Sequence, residues 1–388
     1  MAFGKSILSQ IMGFVNIYDF KKQVSKYSRD FRTRKFTCYN LLVTMIYVHL
    51  KSNPTIRDIV RGFGLMTSNF YHLGLQSVKK STLSDALRNR SHKIFENYFY
   101  SLLESLNRRQ RRRLNKSKIH LIDATTISLC IDQFSWATYK STKGGIKMHT
   151  MIDLENKIPE KVIITEAKTH DIKGIKNMIK FKKGDIYVYD RGYASYKYLY
   201  NIELNGAYFV TCLKSNWKYQ IIESKIPVEN TGILSDDIII ITGTKANDYP
   251  KPIRMVVFYH EEEDKIYRFL TNNLNESAER IAEIYKSRWQ IELFFKWIKQ
   301  HLKIKSFLST SENGVKIQIW IALITYVLLS ILQSLVICEI ELHEIFKRLS
   351  ECLDKRIHIF ELLTLKIEAT RNPIIIQDFD QLELNYVF

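Results

Sequence analysis

The sequence predicts an α/β protein: a sheet flanked by helices, preceded by a helical segment and interrupted by a strand-rich insertion. Three observations point there. Apolar residues recur at helical spacing within residues 1–118, as in Phe36–Leu50 and Ile94–Leu106, with no sustained strand alternation. From Ile119 the pattern changes to short β-branched runs separated by turn signals and helix-length segments, in the order βββαβαβ. From Glu276 helical periodicity returns and holds through the last 70 residues.

Each element has a local reason. Ser81 to Asp85 offers side-chain oxygens that can cap a helix start. Residues 107–118 carry seven basic residues in twelve and read as a linker or helix end able to neutralise phosphates. Ile119–Ile131, Met148–Leu154 and Lys161–Ala167 read as three strands of an antiparallel meander, with turns at Gly144–Gly145 and Asn156–Lys157. A helix over Asp171–Phe181, a strand Asp185–Asp190, a helix over Ser195–Asn205 and a strand Ala207–Leu213 follow. Residues 214–273 break this alternation, and their runs Ile238–Ile241, Met255–Tyr259 and Tyr267–Leu270 mark a β-rich insertion. One long helix is then expected from Glu276 to Leu302, capped by Asn275 and with Glu276 and Glu279 near its positive end. The chain thus divides into a helical segment 1–118, a core 119–213, an insertion 214–273 and a second part of the core 274–388.

Composition narrows the partners. The 388 residues include 58 Lys and Arg against 40 Asp and Glu, a net charge of +18, which favours a polyanion such as nucleic acid or an anionic membrane surface. Five scattered cysteines form no CxxC pair, which argues against a disulfide framework and a zinc site and fits a reducing compartment. The N-terminal stretch lacks the pattern of a signal peptide. Residues Trp320–Cys338 are apolar enough to span a bilayer, but Thr325, Ser330, Gln333 and Ser334 lie on several faces, so a buried helix of a soluble protein is expected and no membrane partner.

Three acids carry the chemistry. Asp123 lies inside the apolar run Ile119–Ile127, and Asp190 ends the run Ile186–Tyr189. Ionised carboxylates in strand interiors are costly unless paired or bound to metal, and the carboxyl ends of α/β strands are where sites gather. Glu292 belongs to the set Tyr285-x2-Arg288-x3-Glu292-x6-Lys299. At about 100° per residue these four side chains fall on one stripe about 60° wide. Trp289, Ile291, Phe294, Phe295 and Ile298 cover the rest, so the helix is expected to be buried and its charged stripe to have a partner. Three carboxylates suit two hard divalent ions, Mg2+ or Mn2+, which can activate an attacking oxygen and stabilise a leaving one. The histidines are dispersed, and His149 and His170 read as ordinary polar residues rather than ligands.

Taken with its neighbours, this pattern resembles the IS4-family insertion-sequence transposases. The resemblance is carried by Ile122–Thr126, by Tyr189-Asp190-Arg191-Gly192-Tyr193, and by the Tyr285, Arg288, Glu292 and Lys299 set, the signature of that family at its spacing. Lys5–Ile11, Arg34–Cys38 and Ser81–Asp85 look like the accessory domain of one branch. The resemblance covers most of the chain. It implies an RNase H-like catalytic core with a β-rich insertion, preceded by a helical N-terminal domain that binds DNA. It makes Asp123, Asp190 and Glu292 the metal-binding and catalytic residues. It puts Tyr285, Arg288 and Lys299 at DNA phosphates, with Arg191 as a further DNA contact. Trp217, the one Trp of the insertion, is a candidate to hold a flipped base, beside a plain packing role.

The implied reaction is transposition. The protein binds terminal inverted repeats, a homodimer brings the ends together in a synaptic complex, water attacks the phosphodiester, and the freed 3′-OH attacks the opposite strand or target DNA. The implied setting is the bacterial cytoplasm, at the nucleoid. Two alternatives stay open: a Mg2+-dependent nuclease with the same core, and a non-catalytic or repurposed DNA-binding protein. A tyrosine recombinase lacks its Arg…His-x-x-Arg…Tyr arrangement here.

Overall fold

The computed structural model describes residues 4–364 apart from 28–29, 31–32, 34, 52–54, 66–70, 76–77, 111–117, 141–142, 170, 177–178, 226–230, 245, 303, 305 and 337–339. Most of the basic run at 107–118, as well as Arg34, His170 and the last 24 residues (365–388), lies outside the described residues. By its contacts the chain forms two compact units, Met1–Tyr98 with Ile317–Phe388, and Phe99–Lys316. The sequence boundaries at 118, 213 and 273 mark changes of element type. The packing boundaries instead fall inside two helices.

The first unit is helical. It holds α1 (Ile7–Met12), α2 (Ile17–Ser25), α3 (Cys38–Leu50), α4 (Ile56–Leu65), α5 (Lys80–Asn89), the start of α6 (His92–Gln110), most of α11 (Glu312–Leu335), α12 (Leu342–Cys352) and α13 (Ile359–Thr364). Side chains close the open N–H groups at the helix starts: Ser6 caps α1, Asn16 caps α2, and Thr37 with Asn40 forms a capping box on α3. Ser81 to Asp85, expected to start a helix, lies within α5, which begins after Lys79 with no side-chain cap. The unit's two sequence segments are joined at Gln10. The Gln10 amide donates to the Ile357 carbonyl at 2.6 Å, and its oxygen accepts from the Ile359 amide at 2.9 Å. α3 is apolar on nearly all sides and almost wholly buried. α11 is the one described helix long and apolar enough to cross a membrane, and 89% of its most apolar window is buried inside the protein.

The second unit is the α/β part. Its sheet contains β1 (Ile119–Leu129), β2 (Thr138–Lys140), β3 (Lys143–Asp153), β4 (Pro159–Glu166), β5 (Ile186–Tyr189), β6 (Tyr208–Cys212), β7 (Tyr219–Lys225), β8 (Ile233–Ile241), β9 (Ile253–His260) and β10 (Lys265–Thr271). β1, β3 and β4 pair antiparallel as the expected meander, while β5 runs parallel to β1 and β6 parallel to β5. The order β4-β3-β1-β5-β6, with α7 (Asp171–Lys176) and α8 (Tyr196–Leu204) in the crossovers, is the RNase H-like core. Gly144 and Gly145, read as a turn, lie inside β3 opposite Leu129 and Ser128. Gly144 is needed there because a Cβ would come 2.8 Å from the Leu129 carbonyl.

The β-rich insertion continues the same sheet. β10 adds antiparallel to β6, and β9, β8 and β7 follow in that order. Arg254 of β9 fixes this half to the chain that follows it. Its guanidinium grips Asp236 of β8 at 2.7 and 2.8 Å and also donates to the carbonyls of Asn273 and Glu276. The pair is buried, and its remaining donors are met, which is the condition under which a buried ion pair is tolerated.

The expected long helix is two. α9 (Ala278–Lys286) is capped by Ser277, not Asn275, and α10 runs Trp289–His301. Across the junction the amides of Arg288, Gln290 and Ile291 bond three residues back, to Tyr285, Ser287 and Arg288. This is a 3₁₀ tightening that shifts the helix without stopping it.

Candidate active site

Register brings the first two acids together. The parallel β1/β5 ladder pairs Ile119 with Ile186 and ends with Ile122 beside Tyr189. The next residue on each strand is an acid, so Asp123 and Asp190 emerge side by side where β5 stops. Each is tied locally: Asp123 Oδ1 accepts from the Ala124 amide at 2.7 Å, and Asp190 Oδ2 accepts from the Gly192 amide at 3.1 Å. The Asp190 bond caps the single turn Arg191–Tyr193.

The third acid arrives on α10, which packs against β1. Arg288 joins it to the strands. Its Nη2 lies 2.6 Å from Glu292 Oε1 and its Nη1 3.5 Å from Asp123 Oδ2, so one guanidinium spans the two carboxylates. Arg288 also sits 5.8 Å over the Tyr285 ring, which itself packs 4.7 Å from Phe269. Lys299, two turns beyond Glu292, donates to Thr125 Oγ1 at 2.5 Å and to the Thr126 carbonyl at 3.0 Å. Thr125 lies two residues beyond Asp123 and on the same face of β1. Six of the eight residues singled out from the sequence therefore gather at one place: Asp123, Asp190, Glu292, Tyr285, Arg288 and Lys299. Arg191 follows Asp190 directly and is exposed.

Trp217 is engaged elsewhere, its ring centroid 3.9 Å from that of Tyr196 at the edge of the core. Trp289 is 56% exposed beside Arg288, because at about 100° per residue it falls on the side of α10 opposite the buried Ile291, Phe294, Phe295 and Ile298. His149 is buried, with Nε2 at 3.1 Å from Thr165 Oγ1.

The electrostatics are those of an acid cluster short of positive charge. Burial pushes the Asp123 carboxyl up to about 6; the Ala124 amide and Arg288 pull it down, and Asp190 and Glu292 push it further up. Burial works against the Arg288 charge, but Tyr285, Glu292 and Asp123 outweigh it and raise its pKa. Burial raises the Tyr285 hydroxyl far above its ordinary value, helped by the neighbouring Cys212 thiol. The Cys212 thiol is itself pushed up to about 11, chiefly by burial, which makes it a packing neighbour rather than a nucleophile.

The donors are all carboxylate oxygens, which suits hard divalent cations. Burial, and after it the nearby acids, disfavour the charge on Asp123, and a cation offsets both. Among the described residues, no three His, Cys, Asp or Glu side chains converge on one ion position as they stand; Arg288 holds the place between Asp123 and Glu292. Two neighbours escaped the sequence reading. Asp171 and Tyr193 both approach the Asp190 turn. Tyr193 stood within a quoted motif, whereas Asp171 carried no local signal beyond opening a helix.

Comparison with known proteins places the chain in a family. Residues 114–328 match the family model described as the transposase DDE domain, and residues 3–76 match a domain of unknown function (DUF4372). A protein of Sinorhizobium fredii that carries a transposase name is 36% identical over 256 residues, covering 64% of this chain and 70% of that protein. A Geobacillus stearothermophilus protein named for transposition of the insertion sequence element IS5377 is 29% identical over 288 residues, or 71% and 76% of the two chains. A Synechocystis protein named for the element IS4SA is 28% identical over 277 residues, or 69% and 76%. Among solved structures, the piggyBac transposase synaptic complex with hairpin DNA covers 93% of this chain and 82% of its own, with 10% identity and a TM-score of 0.47.

Proposed function

The chain belongs to the transposase DDE-domain family and is an enzyme that acts on DNA, and from that premise we propose that it mobilises an insertion sequence. It binds the terminal inverted repeats, cleaves the phosphodiester at each end, and joins the freed 3′-OH to target DNA. The observation that carries this reading is the adjacency of Asp123 and Asp190 by strand register, with Glu292 linked to Asp123 through Arg288.

DDE domains use divalent metal ions. Asp123, Asp190 and Glu292 would hold them, two Mg2+ or Mn2+ in our reading. When bound, such ions supply Lewis-acid stabilisation of the attacking and leaving oxygens. The rest falls to the protein's own groups. Arg288 is poised to exchange its carboxylate partners for a DNA phosphate, which frees Glu292 for the cation as DNA arrives. Lys299, held at Thr125, fixes a second phosphate near the cut, and exposed Arg191 a third. Tyr285 supports Arg288 with its ring and can donate its hydroxyl to a phosphate. Trp289 offers an open aromatic face beside Arg288 on which an unpaired base can stack. Trp217, half covered by Tyr196, is the lesser candidate for that task. The helical segment 1–118 reads as the end-binding part, and two protomers hold the two ends in a synaptic complex at the bacterial nucleoid.

The test uses the purified full chain, Mg2+, and duplexes carrying the inverted repeats that flank its gene. The expected products are 3′-OH ends and their covalent joining to a target plasmid, both lost in Asp190→Asn. Cleavage without joining reduces the protein to a nuclease of the same fold. Tight binding of the ends without cleavage in Mg2+ or Mn2+ leaves only a DNA-binding protein.

A further inference from the structure

A fourth carboxylate stands at this site. Asp171 opens α7, and its Oδ1 is held by Lys147 Nζ at 2.9 Å; the same ammonium donates to the Thr169 carbonyl at 3.1 Å. Its other oxygen faces the Asp190 turn. A Cβ placed on Gly192 would lie 3.3 Å from Asp190 Oδ2 and 3.9 Å from Asp171 Oδ2, so both carboxylates close on one glycine. Of the two Asp171 oxygens, Lys147 holds Oδ1 and leaves Oδ2 on the side of Gly192.

The second observation is independent of the acids. Tyr193, in the same turn, is 2% exposed, and its hydroxyl has no hydrogen-bond partner among the described protein atoms. The charges of Asp123, Asp171 and Asp190 all reach this hydroxyl. A buried donor left unmet is destabilising. The arrangement is reasonable only if something that accepts hydrogen bonds and carries positive charge nearby completes it. Carboxylates gathered on a divalent ion do both: an oxygen not facing the ion accepts from the hydroxyl, and the ion supplies the charge.

We propose that Asp171 and Tyr193 are positioning residues for a cation whose direct ligands include Asp190 and Asp123, Asp171 accepting from a water ligand of the ion and Tyr193 donating to a carboxylate that holds it. Lys147 acts one step further out by orienting Asp171. Such outer partners fix the direction of inner ligands and commonly change metal affinity by roughly 10- to 100-fold. The inference rests on the cation-binding reading given above and adds residues to it.

The experiment measures Mn2+ affinity of the DNA-free full chain by electron paramagnetic resonance, for wild type, Tyr193→Phe, Asp171→Asn and Asp190→Asn. Thermal stability in EDTA is measured alongside. Expected is loss of binding in Asp190→Asn, with affinity about tenfold weaker in each of the other two. In EDTA, Tyr193→Phe should melt no lower than wild type, since only an unmet hydroxyl has gone, whereas Asp171→Asn also loses its ion pair with Lys147. A merely structural role gives the reverse: unchanged Mn2+ affinity and a lower melting temperature. Should Asp171→Asn misfold, the near-isosteric Tyr193→Phe decides alone. Affinity within twofold of wild type in the variants, with binding lost in Asp190→Asn, overturns this inference and leaves the cation site standing. Binding untouched by Asp190→Asn overturns both.

Discussion

Replacing Asp123 by Asn should stabilise the metal-free protein while removing its activity. The carboxyl has an ordinary value of 3.8 and is raised to about 6 in the fold, chiefly by burial. A group whose folded pKa exceeds its unfolded one binds more protons when folded across that interval. Stability therefore falls as pH climbs from about 4 to about 6 and stays lowered above. The gap is about two units, or about 3 kcal/mol at 1.36 kcal/mol per unit. Asn keeps the oxygen that accepts from the Ala124 amide but gives up the 3.5 Å contact with Arg288, so a net gain of about 1–3 kcal/mol is expected at pH 8. Urea unfolding in EDTA at pH 8 and at pH 4 reads this directly. At pH 4 the wild-type acid is largely protonated, and the advantage of Asn should shrink toward zero. A variant less stable than wild type at pH 8, or an advantage equal at both pH values, would refute the reasoning.

Other outcomes follow from single contacts. His120 is buried between Asp185 and Glu160, each at 2.8 Å; burial lowers its pKa, but the two acids outweigh it and the net shift is upward. That stabilisation is complete below the unfolded histidine value and fades as pH rises through the folded one, and His120→Gln should cost about 1–3 kcal/mol at neutral pH by loosening the hold on two acids that Lys118 still contacts, read by urea unfolding. Burial works against the charge of Glu160, but His120 and Lys118 outweigh it and hold the carboxyl down at about 2, so its share is present above the ordinary carboxyl range and is lost as pH falls toward 2, checked by acid titration of circular dichroism. Arg254→Met should cost about 3–5 kcal/mol by leaving Asp236 buried without its partner, whereas equal stability would mean the insertion is held by its strands alone. Lys299→Ala should lower the slope of log affinity for duplex ends against log salt by about 0.9, and an unchanged slope would take Lys299 off the phosphates.

Much of this site was legible because its signals are local. An acid inside an apolar strand run is conspicuous, and the βββαβαβ order makes β1 and β5 neighbours. The stripe of Tyr285, Arg288, Glu292 and Lys299 survived the helix break because the 3₁₀ turn at 287–288 continues the helical sense. That same turn, with neither Pro nor Gly to announce it, hid the split into α9 and α10. The insertion was visible as strands, but its merging with the main sheet depends on β10 pairing with β6, across more than fifty residues, which periodicity does not report. Asp171 was invisible for a similar reason. Its meaning comes from nearness to Gly192 across a crossover, and one acid at a helix start is the commonest of sequence features.

The most direct measurement is anomalous diffraction from crystals of the full chain soaked in Mn2+. Manganese peaks in contact with the carboxylates of Asp123 and Asp190, with Glu292 released from Arg288 and turned toward them, are the expected result. Density at saturating Mn2+ that shows no peak there, and Arg288 still bridging Asp123 and Glu292, contradicts the cation site and with it the cutting of DNA by this protein.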